Sequence, residues 1–430
     1  MRDPIILNHR SPLLPSTARY WKDLLYRVTK VGTEIEVAPP KRVKREDFEA
    51  DVQTALQPSH DFACLGTHGV LDVVAEHCGV EIQVIGRQPY FRTLQSQYAS
   101  IMSFLHRSGA RPRATCGLHF HLLTPGLAEP VPEVIVANLW NLVRRYAPEL
   151  KFLTSGGDKR ETLCRRRNYN SHLEMVQHSP VIMTMQEIHR TLKNSSAVPE
   201  HQNFLNLEHL QFNATGDILP FHLEFRFPDA DLAPTSVTAK TFLFMALLLK
   251  AVDLGQYGVI HVGKIRPWRR KIELLNLLSN NDGNLATSDT SGVTNAVIEE
   301  LQQGLYELLD LLAPTFNYFV DNPALPVLTA LVEQPISLRR CAGYDWAEIE
   351  QTLSDRTRLD DVGFDETDRD MMQHIDLGDW GQFPSLEAWC WYAARELYLT
   401  PQNLEHRLEH LDTMRGIRWD TTQGTLVFTS

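Results

Sequence analysis

Two glutamates with a single residue between them stand in a short segment typical of a β-strand. Residues 31–38 combine β-branched and apolar side chains, and two prolines follow them. Alternation along a strand puts Glu34 and Glu36 on the same face. Neighbouring carboxylates repel each other unless a cation lies between them or one of them binds a proton. The pair is therefore either a solvated strand face or part of a cation site.

Three further segments repeat this spacing of polar residues over an apolar opposite face. The polar pairs are Glu81 with Gln83 in residues 80–85, His119 with His121 in residues 117–123, and Glu224 with Arg226 in residues 222–228. Four strands of this kind predict one curved antiparallel sheet, apolar on its convex face and rich in carboxylate and imidazole groups on its concave face. Such a face suits hard divalent cations that bridge to phosphate oxygens.

The order and spacing of these motifs resemble those of a known family, the amidoligases. The resemblance covers about residues 29–320 and rests on Glu34-Ile-Glu36, Gly79-Val-Glu-Ile82, Cys116-Gly-Leu-His-Phe-His121, Asn206-Leu and Glu224-Phe-Arg226. Amidoligases are carboxylate–amine ligases with the fold of glutamine synthetase and glutamate–cysteine ligase. The resemblance implies an α+β fold with a curved antiparallel sheet of that type and flanking helices. The residues beyond it predict, by their own pattern, a mostly helical C-terminal region.

The resemblance also implies a reaction that needs ATP and Mg²⁺, with Mn²⁺ as a substitute. A carboxylate is a poor electrophile, so ATP activates it as an acyl phosphate, which an amine then attacks to form an amide or isopeptide bond. Moving a phosphoryl group to a carboxylate gathers negative charges that divalent cations must neutralise. The expected substrates are an amino acid, a peptide or a protein, and their identity stays open.

Residue roles follow from the same resemblance. The expected metal ligands are Glu34, Glu36, Glu81, Glu224 and His119. Arg226 is expected to stabilise the transferring phosphoryl group, with Glu34 as a second catalytic residue. The expected cofactor contacts are His119, His121, Asn206 and Arg226. His121 is alternatively a residue that only supports the metal ligands.

The expected substrate contacts are Asp72, Arg165 and Asn168, and Arg165 is also expected to take part in catalysis. Arg165-Arg-Arg-Asn168 fits an Arg-x-x-Asn element of the family. A basic surface patch is an equally good interpretation of residues 159–167. The chain departs from the family pattern at two points. Val73 follows Asp72 where a small polar residue is usual, which leaves Asp61 as a rival. His201 and Gln202, rather than Arg-Tyr, precede the Asn206 motif.

The remaining patterns divide the chain into three parts. Residues 1–28 are expected to form an arm and a short helix, residues 29–335 a catalytic domain, and residues 336–430 a mostly helical appendage. A strand is predicted to end at Asp72, and another to cover residues 203–212. Helices are predicted at residues 18–28, 42–56, 91–107, 133–146, 238–253, 293–312, 386–398 and 401–414, with a terminal hairpin at residues 417–428.

Length and composition limit the functional classes. A chain of 430 residues is expected to hold two or three domains, and its net charge of -11 disfavours nucleic acid as a partner. Six cysteines without a C-x-x-C pair indicate reduced thiols of a cytoplasmic protein. No signal-peptide pattern or apolar run of membrane-spanning length is present, so no membrane partner is expected. The sequence leaves the oligomeric state open.

Two other functional classes remain compatible with these residues. A metal-dependent hydrolase also gathers Glu and His side chains around two cations. The absence of a His-Glu-x-x-His motif and the order of the four strand motifs favour the ligase. The second alternative is a non-catalytic relative that binds a nucleotide or peptide without turnover.

Overall fold

A computed structural model describes most of the chain. The described residues are 5–8, 12–61, 68–76, 79–86, 91–113, 116–156, 184–193, 205–261, 266–280, 295–319, 322–357, 366–377, 380–415 and 417–428. The predictions for Arg165, Asn168, His201 and Gln202 lie outside these residues.

The centre of the fold is a six-stranded antiparallel sheet with the strand order β3-β4-β2-β5-β7-β6. In chain order its strands are β2 (Lys30–Val37), β3 (Val70–Glu76), β4 (Gly79–Ile85), β5 (Leu118–Leu123), β6 (Leu205–Asn206) and β7 (His222–Phe225). Two pairs lie outside it: β1 (Ile5–Asn8) with β8 (Val259–His261), and β9 (Ile417–Asp420) with β10 (Thr425–Phe428). The prediction that the four polar segments share one antiparallel sheet is confirmed.

Helices pack around this sheet and form most of the C-terminal part. Those that precede β7 are α1 (Pro15–Val28), α2 (Arg45–Leu56), α3 (Phe91–Ser108), α4 (Glu133–Arg145), α5 (Ala147–Leu153) and α6 (Met185–Lys193). Those that follow are α7 (Pro234–Gly255), α8 (Trp268–Asn280), α9 (Asn295–Phe316), α10 (Ala324–Glu333), α11 (Ile336–Cys341), α12 (Trp346–Ser354), α13 (Glu366–Leu377), α14 (Leu386–Glu396) and α15 (Pro401–Arg415). No helix among the described residues has the length and apolar character needed to cross a membrane.

Strand register separates a polar face from an apolar face. Glu36 lies opposite Glu81, and Glu34 lies opposite both Gln83 and His119. On the next pair of strands, His121 lies opposite Glu224. Residues that face each other across an antiparallel pair project from the same side of the sheet. The prediction that these polar residues share one face is therefore confirmed.

The apolar face of the sheet packs against α7, which is buried along nearly its whole length. The ring of Phe244 lies 4.8 Å from that of Phe120 on β5 and 4.3 Å from that of Phe225 on β7, between centroids. Burial of each such ring stabilises the fold by about 1.5–3 kcal/mol. The predicted apolar helix beneath the sheet is confirmed, and it fixes the strands that carry the polar residues.

Several local predictions are wrong. The strand predicted to end at Asp72 continues to Glu76. Of the strand predicted at residues 203–212, the described part, which begins at residue 205, forms a strand at Leu205–Asn206 and leaves it before Glu208. The second strand ends early because the Asn206 Oδ1 accepts a hydrogen bond from the Glu208 backbone N–H at 2.9 Å, which turns the chain. Residues 5–8 form β1 within the predicted irregular arm.

The C-terminal part contributes to two separate hydrophobic cores. Ile336, Ile349 and Leu353 pack into the large core that also contains the sheet. Trp389 and Leu426 belong to a smaller core formed by α13–α15 and the β9–β10 hairpin. The predicted hairpin is thus confirmed, while the predicted division at residues 335 and 336 stays a prediction. We propose a later division, between residues 357 and 366, because the packing partners change there.

Candidate metal centre

A single buried imidazole lies at the centre of the polar face. His119 projects from β5, and its Nδ1 lies 2.8 Å from the Glu34 Oε2 and 3.4 Å from the Glu224 Oε1. Its Nε2 lies 3.8 Å from the Glu36 Oε1. Two strands, β2 and β7, thus deliver three carboxylates to one side chain, because both strands pair with β5.

These contacts define two overlapping groups that could each hold a cation. One group consists of Glu34, His119 and Glu224, and the other of Glu36, Glu81 and His119. Within each group, one potential ligand atom per residue lies within 4.8 Å of the others. Because His119 belongs to both, the two groups are adjacent, which is the arrangement expected for a pair of divalent cations.

Neighbouring donors hold the second group in place. The backbone N–H of Gly117 donates to the Glu36 Oε2 at 2.5 Å, and the Gln83 Nε2 donates to the Glu81 Oε1 at 2.9 Å. Each carboxylate therefore keeps further oxygen lone pairs for a ligand. Gln83 orients Glu81 from two residues away on the same strand and the same face.

Glu224 is almost fully buried and, besides its contact with His119, accepts hydrogen bonds from two polar side chains. The Asn206 Nδ2 donates to the Glu224 Oε2 at 2.7 Å, and the Arg226 Nη1 donates to the Glu224 Oε1. The Arg226 side chain is 23% exposed, whereas that of Glu224 is 2% exposed. The guanidinium therefore lies between the buried carboxylate and solvent.

A row of imidazoles extends from the cluster towards the surface. The His121 Nε2 lies 3.2 Å from the Glu34 Oε1, and its Nδ1 lies 2.9 Å from the His222 Nε2. The rings of His222 and His209 are stacked, with their centroids 4.4 Å apart. His121 thus contacts the cluster through one nitrogen and is oriented by His222 through the other.

Burial and mutual charge determine the protonation of the cluster. Burial disfavours the charged form of Glu34, but hydrogen bonds from His119 and His121 outweigh it and hold the Glu34 pKa well below its ordinary value. Burial and the charge of Glu34 raise the pKa of Glu81 to about 8 against the opposing hydrogen bond from Gln83. Burial opposes protonation of His121, yet its contact with Glu34 outweighs burial and raises the His121 pKa.

The donor set fits a divalent cation. Carboxylate oxygens are the ligands that Mg²⁺ and Mn²⁺ prefer, and an imidazole is a common additional ligand for transition metals. Burial raises the pKa of Glu81, and repulsion between carboxylates gathered at this distance without a cation adds to that effect. Glu34, Glu36, Glu81, Glu224 and His119 are therefore suited to hold metal ions, although their assignment as ligands stays a prediction.

The remaining predicted site residues divide into three sets. Asn206, His121 and Arg226 contact the cluster directly, as described above. Asp72 lies on the same face, but its contacts among the described residues are with residues other than those of the cluster. Its Oδ1 accepts a hydrogen bond from the Val73 N–H at 2.8 Å and lies 3.4 Å from the His60 Nδ1. Its predicted role in substrate binding stays a prediction, as do those of Arg165 and Asn168, which fall outside the described residues.

Sequence reasoning missed His222 and gave Gln83 no role. His222 stands two residues before Glu224, so strand alternation already placed both on one face. Its contact with His121 also depends on the pairing of β5 with β7, which alternation within one strand does not reveal. The Gly117 backbone donor had no side-chain signal.

Comparison with known proteins adds little to this geometry. No protein-family model matches the chain, and no curated protein matches it. Among solved structures, the chain is similar to the complex between the prokaryotic ubiquitin-like protein Pup and its ligase PafA, with a TM-score of 0.33 and 11% identity over 93% of this chain and 86% of that chain. A similarity of this size establishes neither family nor activity, so the functional argument rests on the polar face of the sheet.

Proposed function

We propose that the protein is an ATP- and Mg²⁺-dependent carboxylate–amine ligase. The observation that carries this proposal is the convergence of four carboxylates on His119, in two overlapping groups, with Arg226 bonded to one of them at the solvent side. Adjacent cation sites beside an accessible guanidinium suit a reaction that moves a phosphoryl group between negatively charged partners.

In the proposed reaction, a carboxylate oxygen of the substrate attacks the γ-phosphorus of ATP, which gives an acyl phosphate and ADP. The amine nitrogen then attacks the acyl carbon, loses a proton and expels phosphate, which leaves an amide or isopeptide bond. Divalent cations, when bound, would neutralise the charge that accumulates on the phosphate oxygens.

The side chains of the cluster have distinct proposed roles. Glu34, Glu36, Glu81, Glu224 and His119 would hold the cations. Asn206 orients Glu224 through its hydrogen bond, and His121 orients Glu34. Arg226 is placed to donate to phosphate oxygens in the transition state, because its guanidinium lies on the solvent side of Glu224. Arg165, Asn168 and Asp72 remain proposed substrate contacts.

A metal-dependent hydrolase is the second candidate, and a specific observation favours it. The two groups that share His119 would also suit two cations that activate a water molecule. The two candidates differ in their requirement for ATP. A relative that binds nucleotide without turnover differs from both, because it would release no product.

The decisive experiment is the capture of the acyl phosphate with hydroxylamine. The purified chain is incubated with ATP, Mg²⁺, hydroxylamine and a panel of amino acids, peptides and candidate proteins. We expect a hydroxamate and ADP, with both products dependent on carboxylate substrate, ATP and Mg²⁺ together. Release of AMP and pyrophosphate would indicate adenylation, and hydrolysis without ATP would support the hydrolase. Glu299→Gln, at an exposed position on α9, serves as the matched control.

A further inference from the structure

One highly exposed tyrosine lines a cleft, and three other exposed apolar side chains are close in sequence to residues that line it. The four highest exposures among large hydrophobic residues are Tyr398 at 97%, Trp391 at 70%, Leu14 at 68% and Tyr257 at 63%. Tyr398 lines a cleft of about 480 Å³ whose other lining residues include Pro15, next to Leu14, and Gln256, next to Tyr257. Trp391 lies one helical turn before Arg395, which also lines the cleft.

This cleft lies between α1, the C-terminal end of α7 and the turn from α14 to α15. We call it the α1–α14 cleft. Elements of both hydrophobic cores meet beside it. The Asn403 Nδ2 of α15 donates at 2.9 Å to the carbonyl of Tyr318, which lines the cleft. Soluble proteins rarely gather exposed apolar side chains in one place without a binding role.

Some charged groups of the cleft are paired within the chain, whereas two arginines lie away from any described carboxylate. The Lys22 Nζ pairs with the Asp253 Oδ2 at 2.9 Å, and the Tyr318 hydroxyl donates to Asp23. Arg19 and Arg395 are exposed, and within the described part of the chain neither lies at salt-bridge distance from a carboxylate. On a chain with a net charge of -11, the cleft therefore offers two guanidinium groups for external carboxylates.

The backbone at Tyr398 provides an independent indication. Its φ of +54° lies in the left-handed region, which a bulky residue rarely adopts. It follows the C-terminal end of α14, where the Leu399 N–H donates to the Ala394 carbonyl at 2.8 Å and glycine is the usual residue. Because the side chain is 97% exposed, contacts within the chain offset little of this strain. A strained and fully exposed tyrosine is explained by a contact outside the chain.

We propose that the α1–α14 cleft docks a protein segment that carries carboxylate side chains beside apolar residues. Tyrosine, tryptophan and arginine are the residues enriched at the energetic centres of protein interfaces. Tyr398, Arg19 and Arg395 line this cleft, and Trp391 lies one helical turn before Arg395. The carboxylates of the segment pair with Arg19 and Arg395, while its apolar residues cover Tyr398 and Trp391. This inference goes beyond the proposed ligase activity, and its binding test needs no ATP, metal or turnover.

The first test measures binding of fluorescent synthetic peptides to the full-length chain by anisotropy. One peptide alternates glutamate with leucine and tryptophan, and its control replaces every glutamate by lysine. We expect the acidic peptide alone to bind. Arg19→Glu and Arg395→Glu should each weaken binding about tenfold, a loss typical of an energetically important interface arginine. Arg269→Glu, an exposed arginine on α8, should leave binding unchanged.

The second test uses Tyr398→Gly, which separates binding from stability. Glycine adopts the left-handed conformation without strain, so the thermal midpoint should rise by roughly 1–3 °C. The same variant should bind the acidic peptide about tenfold more weakly than the wild type does. Equal binding of both peptides, binding of neither, or displacement by inorganic phosphate at the peptide's own concentration would overturn the proposal. A lower thermal midpoint for Tyr398→Gly would also overturn it. So would a dimer of the chain in solution that Arg19→Glu and Arg395→Glu each abolish, because the cleft would then bind a second copy of the chain.

Discussion

Glu34 and His119 face each other across β2 and β5, with the Glu34 Oε2 2.8 Å from the His119 Nδ1. The two residues are 85 positions apart in the sequence, and strand register brings them together. Because His119 also approaches Glu36 and Glu224, this one pair connects both candidate cation groups. A shift of one residue in the pairing of β2 with β5 would turn the imidazole to the apolar face.

The first prediction concerns the charge of Glu34. Glu34→Gln removes the carboxylate that raises the His121 pKa, so the His121 pKa should fall in the metal-free variant. NMR titration of the imidazole carbon-bound protons measures this shift. Loss of the charge should also reduce turnover by about 10²–10³-fold, as for other groups that stabilise a transition state. An unchanged His121 titration would show that Glu34 does not control this imidazole.

The polar face could be predicted from the sequence because its signal lies within single strands. Alternation of Glu34 and Glu36 over Ile35 identifies the face without any knowledge of the partner strands. The same holds for His119 and His121, and apolar residues 238–253 gave the helix beneath. Each of these features needs only the local spacing of residue types.

Features that depend on contacts between distant segments could not be predicted. The short β6 was missed for a local reason instead, because the Asn206 side chain ends the strand through a hydrogen bond to the Glu208 backbone two residues later. The pairing of residues 5–8 with β8 joins segments about 250 residues apart, and no local pattern encodes that distance. The helices α11 and α12, which follow residue 335, belong to the large core through side chains whose spacing is ordinary for any helix.

The second prediction concerns Glu36 and the stability of the metal-free protein. Glu36 faces Glu81 across the β2–β4 pair, so Glu36→Gln relieves a repulsion between carboxylates. The amide oxygen can still accept the Gly117 N–H, and the free energy of unfolding without metal should stay equal or rise by up to about 1 kcal/mol.

Thermal unfolding with increasing Mg²⁺ completes this test. A cation that binds only the folded state raises the wild-type midpoint with its concentration, and the Glu36→Gln midpoint should respond much less. Glu299→Gln should respond as the wild type does. A Glu36→Gln protein that is less stable without metal, yet keeps its Mg²⁺ response, would indicate a purely structural glutamate.

The third prediction concerns Arg226. Its Nη1 donates to Glu224, and its side chain lies on the solvent side of that carboxylate, where a guanidinium can donate to phosphate oxygens. Arg226→Lys keeps the charge but loses the fork, so kcat for the hydroxamate reaction should fall by about 10²–10³-fold with stability nearly unchanged. Arg269→Lys should leave kcat unchanged. Wild-type turnover in Arg226→Lys would show that Arg226 only forms a structural ion pair with Glu224 and has no role in catalysis.

The last prediction concerns a carboxylate outside the candidate site. Glu350 of α12 caps the N-terminus of α7, since its Oε2 accepts the Thr235 N–H at 2.9 Å and its Oε1 accepts the Thr235 hydroxyl at 2.6 Å. Burial raises the Glu350 pKa to about 6, with the charge of Asp231 acting in the same direction and the Thr235 hydrogen bonds opposing it.

A raised carboxyl pKa means that the folded state binds this proton more tightly than the unfolded chain. The contribution of Glu350 to stability is therefore largest below pH 4.5, the ordinary value, and is lost as the pH rises towards 6. The loss amounts to about 1–2 kcal/mol across this window. Glu350→Gln stays neutral at every pH, so its stability should lack this component.

Denaturant unfolding of the wild type and of Glu350→Gln at several pH values from about 4 to about 8 measures the difference. The free energy of unfolding of the variant should rise relative to that of the wild type as the pH increases from 4.5 to 6. Above pH 7 the difference between the two free energies should be constant. Glu299→Gln, exposed on α9, should follow the wild type throughout. Parallel curves for Glu350→Gln over the whole range would show that the capping carboxylate titrates at its ordinary pKa, and that burial between α7 and α12 does not hold its proton.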